Sequence, residues 1–312
     1  MTIHRQRGVI LISSLILVAL AAIVATSLFF DTALAARRAA ASFSMEQAVQ
    51  LGAGGEALAA FAIAEDKNSD DTDRDAWAQH YGPVEVENGV TLEAQISDEQ
   101  GKFNLNTLLR KDGTPDPDAV KVLRRLMELS DLEPKWVSLI IDWLDANGQP
   151  ESDGGEDSLY LSQTPAHRAG NLFLTSVSEL QQLPGFTREM YLKLLPHVTA
   201  LPPDAQKINV CMADGVVLDA LFALSATNAN YVQYSRLTPE DLARSRANGC
   251  FPRKNVIGAS EPVISGRIDE RTSYFRLQTW LSIGTAQFAL YSLMYRDGSG
   301  KVRPILRTMG TE

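Results

Sequence analysis

The sequence predicts an α+β fold in which a long N-terminal helix packs on a small antiparallel sheet that carries a large all-α insertion. A helix-favouring, Ala-rich pattern runs from Val9 to about Ala64, and no proline follows the apolar start before Pro83. Apolar and polar residues alternate, as in strands, near residues 84–96 and again after residue 273. Between these regions the apolar period is helical. Helices between two groups of strands indicate an insertion into a small α+β domain.

The first element is an apolar segment, Val9–Phe30, that follows the short basic leader MTIHRQRG. It holds 22 residues without a charge, and about 20 residues of helix cross a bilayer. The leader is too short and too polar for a secretory signal peptide. An ordinary single-pass anchor is one interpretation. The glycine directly before the apolar run instead resembles type IV prepilin N-termini, which implies cleavage between Gly8 and Val9 and retention of the helix.

The strands and helices follow in order. Asn88-Gly89 is a two-residue turn that predicts a β-hairpin, and two further strand segments occupy residues 274–284 and 286–308. Five short helices are predicted between them, at residues 116–129, 133–145, 176–183, 187–198 and 215–224. Residues 102–106 (KFNLN) are similar to residues 207–211 (KINVC), and each precedes an apolar helix. The match is short; coincidence and an internal repeat of two helical lobes both remain open.

The composition of the chain argues against nucleic-acid binding and gives no pattern of catalytic residues. A net charge of −9 argues against nucleic-acid binding, which rests on Lys and Arg. The four histidines are scattered, and no Ser-His-Asp, metal-hydrolase or phosphate-loop pattern indicates catalytic residues. Two cysteines occur, Cys211 and Cys250. In an exported domain such a pair predicts one disulfide, and the alternative is two buried thiols.

Two acidic segments and one hairpin stand out in the rest of the chain. Residues 65–75 (EDKNSDDTDRD) are predicted to form a solvated loop, since their acids are not spaced around a tight turn; cation binding by these carboxylates is the alternative. Residues 178–199, with a central Leu-Pro-Gly, resemble a helix-hairpin-helix unit. Its few basic residues favour packing against neighbouring helices over contact with DNA.

The second acidic segment, residues 142–157, crowds carboxylates into a Gly-rich loop after a helix. Calcium prefers six to eight hard oxygen ligands from flexible loops, and clustered carboxylates repel one another without a cation. The segment lacks EF-hand spacing, and a solvated loop is the alternative. The sequence favours a calcium site, with Asp153 nearby and with six candidate ligands: Asp142, Asp145, Asn147, Glu151, Glu156 and Asp157.

Together these features resemble the K-type minor pseudopilin family of the type II secretion system. The resemblance is carried by Gly8-Val9, by the large helical insertion, by Asp142-Trp143 with Asp145, and by the Leu-Pro-Gly hairpin. It implies a subunit that caps the pseudopilus tip with I-type and J-type minor pseudopilins, starts the filament and promotes export of folded exoproteins. It also implies a periplasmic bulk anchored in the cell inner membrane through Val9–Phe30, cleavage by prepilin peptidase and N-methylation of Val9. Contact with the major pseudopilin would be indirect, some members bind calcium in the insertion, and no enzymatic activity is expected.

One departure from the wider pilin superfamily concerns Ser13, which stands at the fifth mature position where Glu is usual. A buried unpaired carboxylate is costly, and a tip subunit has no neighbour above to pair with it. The alternatives are a minor pilin of a type IV pilus and a membrane-anchored helix-hairpin-helix protein of DNA uptake. The predicted parts are a leader at residues 1–8, the span at 9–30, the long helix and first strands at 31–103, the helical insertion at 104–257 and the last strands at 258–312.

Overall fold

The computed structural model describes residues 7–225, 233–257 and 262–310. The helices are α1 (Arg7–Glu65), α2 (Pro117–Leu129), α3 (Trp136–Leu144), α4 (Asp157–Leu161), α5 (Arg188–Leu194), α6 (Gly215–Leu221), α7 (Pro239–Ser245), α8 (Lys254–Ile257) and α9 (Pro262–Arg267). The strands are β1 (Tyr81–Glu87), β2 (Val90–Asp98), β3 (Phe103–Asn104), β4 (Val198–Thr199), β5 (Ile208–Asn209), β6 (Ile268–Asp269), β7 (Tyr274–Ile283), β8 (Ala286–Arg296) and β9 (Val302–Met309). The predicted α+β class is confirmed.

The long helix α1 is continuous over 59 residues, about 90 Å at 1.5 Å per residue. Its second half lies on one face of the sheet and buries a row of small and apolar residues that includes Ala48, Ala59 and Ile63. Gly52 permits this close approach, because a Cβ there would lie 2.4 Å from a methyl group of Leu290 on β8. The helix continues without interruption through Gly52, Gly54 and Gly55.

The sheet joins distant parts of the chain. Its five strands lie in the order β1-β2-β7-β8-β9, and every neighbouring pair is antiparallel. Strand β2 pairs with β7 along its whole length, from Val90 opposite Ile283 to Asp98 opposite Phe275. The first hairpin and the last strands thus form one sheet, and the chain between Asp98 and Tyr274 is an insertion, as predicted.

The insertion has its own hydrophobic core, built on helices α2, α3 and α6. It extends beyond the predicted boundary at residue 257. Ile264 in α9 and Ile268 in β6 are fully buried in this core, and β6 pairs with β5. The predicted boundary at residue 257 therefore lies too early, because residues 262–269 complete the helical core. A second deviation is local: residues 177–182, predicted as α-helix, form a 3-10 helix.

The internal repeat appears in the structure as two lobes of the same plan. Each lobe begins and ends with a two-residue parallel strand, β3 with β4 in the first and β5 with β6 in the second. Asn104 and Asn209 accept a hydrogen bond from the backbone N–H two residues later. Asp116 then caps α2 and Asp214 caps α6, and each carboxylate accepts from the backbone N–H groups two and three residues later. The KFNLN and KINVC segments therefore have equivalent positions.

Each lobe also supplies a side chain that contacts the helix-capping aspartate of the other lobe. The residue directly before each closing strand contacts the cap aspartate of the other lobe, His197 through a hydrogen bond and Arg267 through an ion pair. His197, before β4, lies 2.6 Å from Asp214, and Arg267, before β6, lies 2.9 Å from Asp116.

Candidate functional site

The N-terminal half of α1 is exposed along its length. By length and composition it is the one helix among the described residues that can cross a membrane, which fits a single-pass anchor with a soluble bulk. Gly8 and Val9 both lie within α1. The Ser13 hydroxyl donates to the carbonyl of Ile10 at 3.0 Å, so that its polar atom is satisfied inside its own helix. A carboxylate at this position has no cationic partner within the chain's described part.

Beyond the span, α1 presents exposed apolar side chains. Phe43, Leu58 and Phe61 are 69%, 62% and 65% exposed. Phe43 and Phe61 are 18 residues apart, five turns at 3.6 residues per turn, so they project from the same side of the helix. We call these three residues the outer stripe. Ala41 and Val49 on the same helix are also exposed.

The acidic loop at residues 142–157 lies between α3 and α4. Asp142 is fully buried, and its carboxylate accepts hydrogen bonds from the backbone N–H groups of Glu151 at 3.0 Å and Gly155 at 2.6 Å. Asp145 is 1% exposed; one oxygen accepts from the Asn147 N–H, and the other has no hydrogen-bond partner. Oε1 of Glu156 is likewise buried without a partner.

The negatively charged carboxylates of this loop repel one another. Burial raises the pKa of Asp142, Asp145 and Glu156, and neighbouring carboxylates raise it further. Asp157 accepts from the Ala169 N–H and lies 3.8 Å from the exposed Arg168. Backbone N–H groups thus donate to Asp142, Asp145 and Asp157. Asp145 and Glu156 each hold an oxygen without a donor, and this donor set fits a hard cation such as calcium.

The six predicted ligands do not all converge. Asn147 and Glu151 are exposed, and the Asn147 amide oxygen accepts from the Gln149 N–H. Among the described residues, two groups of three His, Cys, Asp or Glu side chains have ligand atoms within 4.8 Å of one another. Neither group includes a residue of this loop. A bound ion here requires the loop to move its carboxylates together.

Cys211 and Cys250 form a disulfide in the structure, with Cα atoms 4.6 Å apart. Cys211 follows β5, and Cys250 precedes α8. The bridge closes the second lobe beside Asp70, whose carboxylate accepts from the Cys250 N–H. Because the two sulfurs are bonded to each other, Cys211 and Cys250 do not supply thiolate ligands to a metal.

The helix-hairpin-helix-like unit packs against the first lobe. Phe186 stacks edge-to-face on Trp136, with ring centroids 5.3 Å apart, and Gly185 in the turn has a φ of +86°. Lys193 lies close to Asp131 and Glu189. The hairpin therefore serves as a packing unit, in agreement with the structural interpretation of its sequence.

The segment after α1 contains a cluster that the sequence did not reveal. Asp71 is 1% exposed, Thr72 is 5% exposed and Asp75 is 9% exposed, so the predicted solvated loop is wrong for these residues. Asp71 binds the guanidinium of Arg296, which is itself buried and lies over the Phe275 ring. Arg296 is 225 residues away, and no local pattern links the two side chains.

Comparisons with known proteins identify a family to which the sequence is similar. A family model described as "Type II secretion system (T2SS), protein K" matches residues 101–203. Type II secretion system protein K of Pseudomonas aeruginosa is 33% identical over 98% of this chain and 93% of its own length. Its counterpart from Klebsiella pneumoniae is 27% identical over 98% of this chain and 94% of its own length.

A solved structure is similar to the fold. It is the GspK-GspI-GspJ complex from the enterotoxigenic Escherichia coli type 2 secretion system, with a TM-score of 0.72 and 22% identity. The match covers 88% of this chain and all of the matched chain. The long helix, the five-stranded sheet and the helical insertion are thus features of a known architecture. With a relative that is 33% identical along nearly its whole length, this chain belongs to the type II secretion system protein K family.

Proposed function

We propose that this chain caps the tip of the type II secretion pseudopilus in a complex with the I-type and J-type minor pseudopilins. The observation that carries the proposal is the outer stripe, which leaves Phe43, Leu58 and Phe61 exposed along the extramembrane part of α1. Family membership and the likeness to a K–I–J complex support it. In this role the chain is a structural subunit and does not catalyse a reaction.

The outer stripe suits contact with helices of neighbouring subunits. A long helix with an apolar side buries it against other helices, and each large apolar side chain transferred from water contributes about 1.5–3 kcal/mol. Phe43 and Phe61 lie roughly 27 Å apart along the axis, at 1.5 Å per residue. That distance allows one continuous contact along several turns of a partner helix.

The uncharged fifth mature residue and the bulky insertion support a terminal position. Ser13 forms its hydrogen bond within its own helix and needs no ammonium group from another subunit. The insertion, with two lobes around one core, adds bulk beside the sheet that would obstruct a subunit stacked above. Assembly would therefore begin with this subunit and continue below it.

The test is co-purification with the I-type and J-type partners. Leu58→Ser combined with Phe61→Ser is expected to weaken the complex at least tenfold, because each change removes apolar surface from the contact. Leu172→Ser, the same kind of change at an exposed apolar residue of the insertion, is the matched control and should leave the affinity unchanged. Full-strength association of the double variant would remove the outer stripe from the interface.

Secretion provides the second measurement. A strain that lacks this protein should retain its folded exoproteins in the periplasm, and the wild-type gene should restore export. The Leu58→Ser/Phe61→Ser variant should restore little. Normal secretion by the deletion strain, or no association with either partner, would overturn the tip assignment.

We further propose that residues 142–157 bind calcium. The support is the pair of buried oxygens without donors on Asp145 and Glu156. A ligand that binds only the native state raises its stability by mass action. Calcium should raise Tm, and Asp145→Asn with Glu156→Gln should abolish the part of that rise that comes from this loop. Asp153→Asn, which removes an exposed charge from the same loop, is the control.

A further inference from the structure

We propose that Asp66, Asp71 and Asp75 form a second divalent-cation site, of the calcium type, where the long helix meets the sheet and the insertion. We call these three residues the junction cluster. It lies in the segment directly after α1 and shares no residue with the loop at 142–157.

The first observation is convergence. One carboxylate oxygen from each residue of the junction cluster lies within 4.8 Å of the other two. Asp71 and Asp75 are 1% and 9% exposed, and Asp66 is half-buried. Carboxylates at this separation repel one another, and burial strengthens the repulsion.

The second observation is an oxygen without a donor. Oδ2 of Asp71 accepts hydrogen bonds from the Thr272 N–H at 2.6 Å and from Arg296, whereas Oδ1 is buried and has no hydrogen-bond partner. A buried polar atom left unpaired is costly. An ion bound to Oδ1 of Asp71 removes that cost.

Neutral donors hold the other two carboxylates in place. Asp66 accepts from the Asn68 N–H at 2.9 Å and from the Trp77 indole N–H at 3.1 Å. Asp75 accepts from the Thr72 N–H at 2.7 Å and from the Asn68 side-chain amide at 2.9 Å. These donors orient the oxygens without supplying positive charge. The Asn68 amide is also a possible oxygen ligand, because calcium accepts amide oxygens beside carboxylates.

The charge balance is negative. Arg296 pairs with Asp71, and the half-exposed Arg271 lies 3.9 Å from the same oxygen. Burial raises the pKa of Asp71 and Asp75, and nearby carboxylates add to the effect. Three carboxylates with one buried guanidinium thus leave a charge that a divalent ion neutralises.

The position of the junction cluster gives the ion a structural task. Asp66 directly follows α1, and the backbone N–H of Asp71 donates to the Glu270 carbonyl, where the chain returns from the insertion. The Asn209 side chain in the second lobe donates to the Asp71 carbonyl. A cation at this point fixes the insertion relative to the long helix, and thereby fixes the orientation of the tip.

The test titrates calcium into the full-length protein in detergent after chelation. The parent variant is Asp145→Asn/Glu156→Gln, which neutralises the two loop carboxylates that hold oxygens without donors and leaves the junction cluster intact. It should bind one calcium ion per chain, and Tm should rise by roughly 5–10 °C at calcium a hundredfold above Kd. Adding Asp66→Asn and Asp75→Asn to the parent should abolish both the binding and the rise in Tm. Adding Asp73→Asn instead, an exposed charge in the same segment, should preserve both.

Terbium provides a readout that leaves the junction cluster unaltered. The Trp77 indole contacts Asp66, so terbium bound there should emit when tryptophan is excited, and calcium should displace it. Absence of calcium-displaceable emission from the folded parent variant overturns the proposal. Calcium binding that survives Asp66→Asn/Asp75→Asn overturns it as well. Because Asp145 and Glu156 are neutralised throughout, failure of the calcium proposal for residues 142–157 leaves these outcomes unchanged.

Discussion

Removing the disulfide should destabilise the chain by an amount that follows from its sequence separation. Cys211 and Cys250 are 39 residues apart and close a loop of 40 residues. In the chain-entropy relation, a loop of this length restricts the unfolded chain by about 13 cal/mol/K, or about 4 kcal/mol at 25 °C. For a domain of this size that corresponds to a fall in Tm of roughly 8–16 °C.

The assay compares the chain from Asp31 onward in three forms: oxidised wild type, reduced wild type and Cys211→Ala/Cys250→Ala. The reduced protein and the double variant should melt at similar temperatures, both well below the oxidised protein. Intact mass after alkylation without reductant should show no modified thiol in the oxidised form. Two freely alkylated thiols in protein purified from the periplasm, or equal Tm in all three forms, would refute the reasoning.

Three other outcomes follow from single residues. Gly8→Val should leave full-length precursor in the membrane, while N-terminal sequencing of the wild type should begin at Val9; a start near Ala35 would contradict cleavage by prepilin peptidase. Ser13→Glu should fold normally and should not improve secretion, since it places an unpaired carboxylate in the apolar span; secretion above wild type would contradict the tip position. Burial raises the pKa of Asp98 to about 7 from an unfolded value of 3.8, so the contribution of Asp98 to wild-type stability should fall by about 4 kcal/mol as pH rises between these values. In Asp98→Asn that loss should be absent from urea titrations at pH 4 and pH 7, and identical pH dependence in the two proteins would contradict it.

Much of the fold follows from local patterns. The Ala-rich run predicted one helix from Val9 to about Ala64, and α1 ends at Glu65. The Asn88-Gly89 turn lies between β1 and β2 as predicted. These elements were predictable because helix propensity, strand alternation and turn chemistry each act over a few neighbouring residues.

Contacts between distant residues were not predictable in this way. The acids of residues 65–75 resemble a solvated loop until Arg296 and Thr272 are placed beside Asp71. The end of the insertion was likewise misplaced, because α9 and β6 are short and only their partners show where they pack. In the acidic loop the sequence supplied the ligand types, but the backbone N–H groups that hold Asp142 depend on the folded path of the chain.

The crossed contacts between the two lobes have a consequence for folding. Each lobe supplies a partner for the cap aspartate of the other, through His197 with Asp214 and Arg267 with Asp116. A nascent chain that has emerged only as far as β4 therefore holds a cap aspartate, Asp116, whose guanidinium partner has not yet been synthesised. The two halves should consequently acquire native structure cooperatively, in one transition, and late in translation.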